Sequence, residues 1–366
     1  MNKAVNNRSF NFSAGPAAIP TEVLQRAQAE LLNWNQQGCS VMELGHRTPQ
    51  FQALLDQTEA DLRQLLKVPE HYKVLFLHGS ASHQFAMVPM NFLAPNDSAN
   101  YLEQAHWSKK AIKEAQAFGT IHVQTAFEQT DAGLGIVSES NWQLDDSAKY
   151  LHFTSNETIV GVQFSQEPQQ FRGKLVCDMC SDILSRPIDI EQYALIYAGA
   201  QKNIGPSGMT LVIVREDLFE QMQTQRVPSL YQYPLMAKHG SLYNTPPSFG
   251  IYLAGLVFQW LLEQGGVEAM EKRNQQKAQM LYDFIDSSDF YHSPVAADSR
   301  SLMNVAFTLR QPELDPMFLE QAKAAGLTAL KGHRDFGGMR ASLYNAMPIE
   351  GVKKLIDFMK GFEANL

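Results

Sequence analysis

The sequence is poor in cysteine, in positive charge and in long apolar runs. Its 366 residues contain three cysteines, which are too few for a disulfide-stabilised fold. Cys177 and Cys180 form one CxxC pair, but a structural zinc site needs further ligands at matching spacing, so we expect no metal. We interpret the pair as two small residues in a buried strand and its turn, in a reducing cytosol, with a redox role as the alternative.

The shortage of positive charge argues against a nucleic-acid-binding protein. The formal net charge is −8, whereas a nucleic-acid-binding surface carries a basic stripe. The first residues, MNKAVNNRSFNFSAGP, lack the apolar region of a secretory signal. The longest apolar run, 251–262, is too short to cross a bilayer and contains Gln259. We therefore expect a cytoplasmic protein that binds neither nucleic acid nor membrane, and whose anionic ligands are bound by local cations.

What the sequence does have is a regular alternation of strand and helix patterns. Apolar runs predict strands at 72–77, 120–127, 149–155, 174–179, 194–200 and 210–215. Amphipathic or apolar spacing predicts helices at 19–34, 48–68, 83–93, 107–118 and 251–262. This alternation is typical of an α/β domain with a mostly parallel sheet. From about residue 265 the pattern changes to helices at 267–288, 320–326 and 349–362 with a strand at 301–309, which predicts a smaller α+β domain.

Two charged residues follow buried strand patterns, where a charge without a partner is costly. Lys202 follows the run ALIYAGA, and Asp178 ends the run KLVCD. A lysine at a strand end can extend to the surface, and an aspartate there can cap a turn. Taken together, however, they suit an aldehyde cofactor, because a lysine forms an imine with it and an aspartate holds its pyridinium N–H⁺.

Two further features fit such a cofactor. The segment HGSAS lies between a predicted strand and a predicted helix, so its backbone amides could bind a phosphate. An ordinary strand–helix turn is the alternative, and the segment is not a Walker A loop. Trp107 could stack on the cofactor ring or anchor the core.

The motifs NFSAGPAAIP, VMELGHRTPQF, HGSASHQFAMVPMNFL, HFTSNETIVGVQF, DMCSDILSRPID, YAGAQKNIGPSGMTLVIVRED, NTPPSFGIYLAGL and KGHRDFGGMRASLYNAMP extend the pattern over nearly the whole chain. They closely resemble the phosphoserine aminotransferase family of class V pyridoxal-phosphate enzymes. The resemblance implies the fold-type I architecture, in which a large domain at 16–264 holds a mostly parallel seven-stranded sheet. It implies that 265–366, with the N-terminal segment 1–15, form the small α+β domain.

The same resemblance assigns the site residues. It implies that Lys202 is the Schiff-base lysine and the general base and acid, and that Asp178 is the partner of the pyridine nitrogen. The other implied cofactor contacts are Ala81, Ser82, Trp107, Thr158 and Gln201, with Asn244 and Thr245 reaching the cofactor phosphate from the other subunit of a homodimer. The implied substrate-anion positions are His46, Arg47, His333, Arg334 and Arg340.

The implied substrates explain this abundance of cations. Phosphoserine and glutamate, with their oxo-acid partners 3-phosphohydroxypyruvate and 2-oxoglutarate, share an α-carboxylate and differ in the distal anion. We expect Arg340 to bind the shared α-carboxylate, and the two His-Arg pairs, at 46–47 and 333–334, to bind the distal anion. The resemblance implies a role in serine biosynthesis, and 4-phosphohydroxythreonine of pyridoxine biosynthesis is an additional candidate substrate.

Three alternatives are weighed against this interpretation. A cysteine desulfurase needs a cysteine in the C-terminal part, and this chain has none after Cys180. An alanine–glyoxylate aminotransferase of the same class is a second alternative. A non-catalytic regulatory protein of the same fold would not need both Lys202 and Asp178.

Overall fold

The computed structural model describes residues 8–366. Residues 1–7, which we expect to join the small domain with the rest of the N-terminal segment, lie outside the described residues. The α-helices of the described chain are α1 (Thr21–Glu30), α2 (Pro49–Leu66), α3 (Ala81–Phe92), α4 (His106–Ala115), α5 (Tyr233–Lys238), α6 (Ser248–Glu263), α7 (Gly266–Asp286), α8 (Asp315–Ala324) and α9 (Ile349–Ala364).

The strands alternate with these helices in the first two thirds of the chain. They are β1 (Phe10–Asn11), β2 (Tyr72–His78), β3 (Ser98–Glu103), β4 (Thr120–Thr125), β5 (Phe127–Thr130), β6 (Gly133–Ile136), β7 (Tyr150–Thr154), β8 (Asn156–Glu157), β9 (Val162–Gln163), β10 (Lys174–Asp178), β11 (Tyr193–Gly199), β12 (Met209–Arg215), β13 (Tyr291–His292), β14 (Asn304–Leu309), β15 (Leu327–Thr328) and β16 (Met339–Ser342).

The main sheet has seven strands in the order β2–β12–β11–β10–β7–β3–β4. Strand β12 is antiparallel to both of its neighbours, and the pairs β11–β10, β10–β7, β7–β3 and β3–β4 are parallel. The seven-stranded, mostly parallel α/β sheet predicted from the sequence is therefore confirmed.

Buried side chains cover both faces of this sheet because successive residues of a strand point to opposite sides. One face packs against α1, α2 and α6 through residues such as Phe76, Phe153 and Ile196. The other face packs against α3 and α4 through residues such as Tyr101 and Tyr197. The near-continuous apolar runs of the central strands follow from this double coverage.

A third buried cluster lies among the C-terminal elements. It joins α7, α8 and α9 to the sheet β13–β14–β16 and includes Phe12 from the N-terminal segment, which follows the short parallel pair β1–β15. This cluster is distinct from the two clusters on the faces of the main sheet. Within residues 8–366, no helix combines the length and apolar character needed to cross a membrane.

Some boundaries differ from those predicted from the sequence. Helix α1 ends at Glu30 rather than near Trp34, and α3 begins at Ala81 rather than at His83. Strand β3 was missed, because its Asn100 interrupts the apolar pattern although it is fully buried. Its amide donates to the Asp145 carbonyl and accepts from the Asp145 amide, at 2.9 and 3.0 Å, which satisfies it inside the sheet.

The sheet brings together residues that are distant in the sequence. Asp178 ends β10, Thr154 ends β7, and the segments that carry Lys202 and Trp107 follow β11 and β3. Since these four strands are parallel, their carboxyl ends meet at one edge of the sheet, which is where ligands bind in open α/β folds.

Candidate active site

Lys202 lies just beyond β11 and is tied to the segment that follows β7. Its Nζ donates a hydrogen bond to Thr158 Oγ1 at 2.6 Å. Thr158 is only 3% exposed, whereas Lys202 is partly buried at the cavity wall. The side chain therefore points along the sheet edge into a cavity instead of extending to solvent, which excludes the surface-lysine alternative.

Asp178 is buried at the end of the adjacent strand. One of its oxygens accepts the backbone N–H of Cys180 at 3.0 Å, and the residue is 3% exposed. Burial raises the pKa of this carboxyl, while the Cys180 N–H, the charge of Lys202 and the nearby Tyr197 hydroxyl oppose that rise. A cationic ligand group beside Asp178 would stabilise its charged form further.

A cavity of about 210 Å³ joins these two residues. Seven of the sequence-predicted cofactor residues line it together with five that were not predicted. The predicted ones are Ala81, Ser82, Trp107, Thr158, Asp178, Gln201 and Lys202, and the others are Ser80, Thr154, Asn156, Cys180 and Ser181.

One end of the cavity is suited to an anion. It is formed by Ser80, Ala81 and Ser82 at the start of α3, where the first backbone amides have no intrahelical acceptors and the helix dipole is positive. Gly79 makes the turn from β2 into α3 with φ +109°, in the left-handed region that favours glycine. Thr154 Oγ1, also in the cavity wall, is buried and has no hydrogen-bond partner among the described residues.

These residues fit pyridoxal phosphate. The amine of Lys202 suits its aldehyde, the carboxyl of Asp178 suits its ring nitrogen, and the start of α3 suits its phosphate. Trp107 supplies an aromatic ring in the same wall. The donor set matches each of the three polar ends of the cofactor.

Arg340 on β16 reaches the same site from the C-terminal elements. Its guanidinium donates to the Thr158 carbonyl oxygen at 3.2 Å, and burial lowers the pKa of this arginine. Thr158 therefore contacts Lys202 through its hydroxyl and Arg340 through its carbonyl. The amine and the guanidinium are placed on either side of one buried residue.

A second group of basic side chains lies near Trp107 but is much more exposed. The imidazole of His106, the residue before Trp107, lies 5.2 Å from that of His333 between ring centroids. Both rings approach Asp335, with Nδ1 to Oδ2 distances of 3.6 Å from His106 and 3.4 Å from His333. Arg334 Nε lies 3.5 Å from Asp335 Oδ1, and the Arg334 side chain is 87% exposed.

Seven predicted residues do not line the cavity: Arg340, His333 and Arg334, described above, and His46, Arg47, Asn244 and Thr245. Arg47 is exposed, and His46 is partly buried with an Nε2 that has no partner among the described residues. Asn244 lies instead on a neighbouring cavity of about 300 Å³ beside Gly79. The Thr245 carbonyl is 2.7 Å from the ring nitrogen Nε2 of His78.

Sequence reasoning missed three residues around Trp107. His106 and Asp335 meet only in the fold, because 229 positions separate them, so no local pattern links them. Glu157 is fully buried, and its Oε1 accepts the backbone N–H groups of Trp107 and Ser108 at 3.1 and 3.2 Å. Burial raises the pKa of Glu157 to about 7. The sequence signal that could have pointed to Glu157 is its position beside Thr158 in the motif HFTSNETIVGVQF.

A larger cavity of about 490 Å³ lies between the N-terminal segment and the start of α9. Its buried cation, Lys277, donates to the carbonyls of Leu343, Tyr344 and Met347 at 2.6, 2.8 and 3.1 Å. Because that ammonium group is already fully hydrogen-bonded, it has no donor left for a ligand. The smaller cavity at the sheet edge has the reactive groups and is the candidate site.

The fold and this site define a class of protein. The Aminotransferase class-V family model matches residues 9–355, and the chain belongs to that family. It is therefore a pyridoxal-phosphate-dependent aminotransferase, as the sequence predicted.

Comparison with similar proteins identifies the family within class V. A phosphoserine aminotransferase of Acinetobacter baumannii is 52% identical over 355 residues, which cover 97% of this chain and 98% of that protein. The solved structure of phosphoserine aminotransferase from Bacillus circulans subsp. alkalophilus has a TM-score of 0.94 and 48% identity, and covers 98% of this chain and 99% of that one. The pyridoxal-phosphate-bound enzyme from Trichomonas vaginalis has a TM-score of 0.92 and 39% identity, over 96% of this chain and 100% of that one. Within class V, this chain belongs to the phosphoserine aminotransferase family.

Proposed function

We propose that this enzyme transfers the amino group of glutamate to 3-phosphohydroxypyruvate, giving O-phosphoserine and 2-oxoglutarate. The reaction fits a step of serine biosynthesis, and the relatives named above are phosphoserine aminotransferases. The observation that carries the proposal is the pair of contacts at Thr158, which place Lys202 and Arg340 on one buried residue. The shared contact with Thr158 supports a carboxylate site at Arg340 near the Lys202 amine.

The residues that line the cavity have separate roles in the proposed reaction. Pyridoxal phosphate, when bound, supplies an aldehyde and an electron-accepting ring. Asp178 accepts the hydrogen bond of the ring nitrogen and keeps that nitrogen protonated. The Lys202 amine anchors the cofactor and later moves a proton to and from the substrate α-carbon, with Thr158 Oγ1 orienting its Nζ. The start of α3, which includes Ser82, would hold the phosphate together with the neighbouring Gln201.

The distal anion is assigned to the exposed cations. His333 and Arg334 lie on the loop that meets His106 next to Trp107, so they are close to the cavity mouth. We assign His46 and Arg47 to the same role. Because both lie outside the cavity wall, they can reach the distal anion only after domain closure or from a second copy of the chain. A phosphate carries about −1.5 to −2 charges near neutral pH and a carboxylate −1, so a flexible cluster suits both.

Separate half-reactions test the proposed substrates. Phosphoserine, glutamate, alanine and aspartate are added singly to the holoenzyme, and the change in the visible absorption of the cofactor is followed. Rapid conversion by phosphoserine and glutamate, with slow conversion by alanine and aspartate, is expected. Conversion by alanine as fast as by phosphoserine would contradict the proposal. The same titration with 4-phosphohydroxythreonine tests the additional substrate.

We also propose that the active unit is a homodimer with two-fold symmetry. Asn244 and Thr245 stay outside the cavity of their own chain, while the contact with His78 holds Thr245 beside the turn at Gly79. In a two-fold dimer the same pair would complete the phosphate site of the second copy.

Mixing two inactive variants tests this assembly. Lys202→Ala and the double variant Asn244→Ala, Thr245→Ala should each be weakly active as homodimers. In a mixed dimer both defects fall in one site and the other site is intact, so part of the activity should return. No recovery in verified mixed dimers, or a fully active monomer in sedimentation, would contradict the dimer.

The division into a large domain at 16–264 and a small domain at 265–366 with residues 1–15 remains part of the proposal. The separate C-terminal core, which includes Phe12, supports it. A cytoplasmic location is proposed as well, and the three free cysteines are consistent with a reducing compartment.

A further inference from the structure

Two buried polar side chains, those of Tyr197 and His152, lie on the strands that flank Asp178 and have no role in the reaction described above. Tyr197 on β11 is the register partner of Asp178 on β10, and the two residues are adjacent on neighbouring parallel strands. His152 lies on β7, the strand on the other side of β10, where its register partner is Val176. Its Nε2 is 2.9 Å from the Tyr197 hydroxyl oxygen, and the two residues are 1% and 0% exposed. Side chains from these three neighbouring strands therefore lie on one face of the sheet, and His152 contacts Tyr197 across β10.

The environment of His152 decides which of its nitrogens carries the hydrogen. Burial lowers the pKa of His152 to about 3, so the ring is neutral under working conditions and has a single N–H. Nδ1 is buried and has no hydrogen-bond partner among the described residues. The ring of Tyr101 stacks on the imidazole at 4.6 Å with an interplanar angle of 16°, so it offers no acceptor in the ring plane. A hydrogen on Nδ1 would be an unsatisfied buried donor, whereas a hydrogen on Nε2 meets the Tyr197 oxygen.

This tautomer fixes the direction of the next hydrogen bond. If His152 donates to the Tyr197 oxygen, the Tyr197 hydrogen is free to point elsewhere. Burial keeps the Tyr197 hydroxyl protonated, since it raises its pKa well above the usual value. Asp178 is the register partner of Tyr197 on the adjacent parallel strand, and the Tyr197 hydroxyl lowers the pKa of its carboxyl.

We propose that His152 and Tyr197 are positioning residues for Asp178: His152 Nε2–H donates to the Tyr197 oxygen, and Tyr197 O–H donates to the Asp178 carboxylate. The arrangement keeps that carboxylate ionised and correctly oriented for the cofactor ring nitrogen. It rests on the proposed role of Asp178 and adds two residues to it.

The charges around Asp178 explain why such support is needed. Burial is the largest cause that raises the pKa of Asp178, and the nearby carboxyls of Glu157 and Asp182 interact unfavourably with its charge. Lys202 and the Cys180 hydrogen bonds act in the opposite direction. The Tyr197 hydroxyl contributes a neutral donor that does not depend on the charge state of Lys202.

The tautomer of His152 can be measured without any activity assay. With ¹⁵N-labelled histidine, long-range ¹H–¹⁵N spectra of the wild-type enzyme, with and without pyridoxal phosphate, report which ring nitrogen is protonated. The His152→Gln variant assigns the signal among the ten histidines. An Nε2–H form is expected, and an Nδ1–H form would overturn the proposal.

Cofactor affinity tests the second hydrogen bond. Tyr197→Phe should weaken pyridoxal phosphate binding about tenfold in equilibrium dialysis, because a protonated Asp178 forms no charge-assisted hydrogen bond with the protonated ring nitrogen. The loss should grow as pH falls, since protonation of the unsupported carboxyl becomes complete. Tyr233→Phe is the matched control: it removes a buried hydroxyl that donates to Gln84 at 2.6 Å, in the core on the same face of the sheet.

The two variants should lose similar thermal stability, and only Tyr197→Phe should bind the cofactor more weakly. Equal affinity in the two variants would overturn the proposal. His152→Gln, which keeps an N–H donor, should bind the cofactor more tightly than His152→Leu, and identical affinities would also overturn it. If Asp178→Asn does not weaken cofactor binding, the proposed role of Asp178 itself fails, whatever the tautomer of His152.

Discussion

The two halves of the candidate site are built in opposite ways. On the cofactor side, Asp178 and Thr158 are each 3% exposed and are fixed by strand ends and short hydrogen bonds. On the distal side, Arg334 is 87% exposed and its nearest charged partner is the next residue, Asp335. The first half is held by the sheet and the second by a loop.

This difference matches the chemistry that each half must perform. The steps at the α-carbon are the same for both substrates, so a rigid, buried arrangement serves both half-reactions. The distal group changes from phosphate to carboxylate, and exposed cations can rearrange around either one at little cost. Substitutions on the buried side should therefore affect both substrates strongly, and substitutions on the exposed side should affect them weakly and unequally.

The largest effect is expected for Lys202→Ala. The variant should still bind pyridoxal phosphate through the start of α3 and Asp178, but both half-reactions should slow by about 10²–10⁴-fold, because the group that moves the α-proton is lost. Stopped-flow absorption with phosphoserine and with glutamate measures each rate. A variant within about tenfold of wild type, roughly 1.4 kcal/mol in the barrier, would show that Lys202 is not the proton carrier.

Asp178→Asn should have the next largest effect. Asparagine keeps the shape and one acceptor oxygen but removes the charge, and loss of a charge-assisted hydrogen bond costs about 1.5–3 kcal/mol, or roughly 10- to 150-fold in rate. The loss should be the same for phosphoserine and glutamate in single-turnover experiments. Unchanged single-turnover rates would refute the assignment of Asp178, and a loss confined to one substrate would break the contrast between the two halves.

The buried side can also be tested at Glu157, through the pH dependence of the free energy of unfolding. Burial raises its pKa to about 7 in the folded protein, against about 4.5 when unfolded, so the folded state holds more protons between these values. The stability contribution of Glu157 is therefore present below pH 4.5 and is lost as pH rises towards 7, by on the order of 2–3 kcal/mol. Asp178 and Asp182 also have raised pKa values, so only the difference between variant and wild type is informative.

Glu157→Gln isolates this contribution. Glutamine can still accept from the Trp107 and Ser108 amides, and it does not ionise. Urea unfolding at saturating pyridoxal phosphate and fixed protein concentration should show the variant gaining stability relative to wild type between pH 5 and pH 8. Parallel pH curves for the two proteins would mean that Glu157 titrates normally.

The sequence could predict the buried half of the site because charges there interrupt apolar patterns. Lys202 and Asp178 stand out at the ends of buried strands, and neighbouring parallel strands bring such ends together. Tyr197 could not be recognised in the same way, since a tyrosine inside the run ALIYAGA looks like an ordinary core residue. Its partner His152 lies 45 positions away, on a strand that only the sheet order places nearby.

The exposed half was predicted less completely, for a related reason. The two His-Arg pairs were assigned by family resemblance, but the contacts of His333 with His106 and Asp335 depend on how a C-terminal loop meets α4. That contact depends on packing between elements that are distant in the sequence, so it produces no periodic pattern in the local sequence. His46 and Arg47, whose place at the site needs closure or a second copy, illustrate the same limit of sequence reasoning.

The smallest effect is expected for Arg334→Leu, and it separates the two halves most directly. Because the guanidinium is 87% exposed, its attraction for a distal anion is screened, and its loss should cost about 1 kcal/mol, or roughly fivefold. The doubly charged phosphate should suffer more than the carboxylate, so kcat/KM should fall several-fold for phosphoserine and hardly for glutamate. Arg340→Leu is the matched control, since its guanidinium is buried beside Thr158 and should bind the α-carboxylate that both substrates share. It should lower both values together and by more. If Arg334 only braces the loop at Gly337 and Gly338, its removal will instead lower both values equally, and that outcome would refute its role in binding the distal anion.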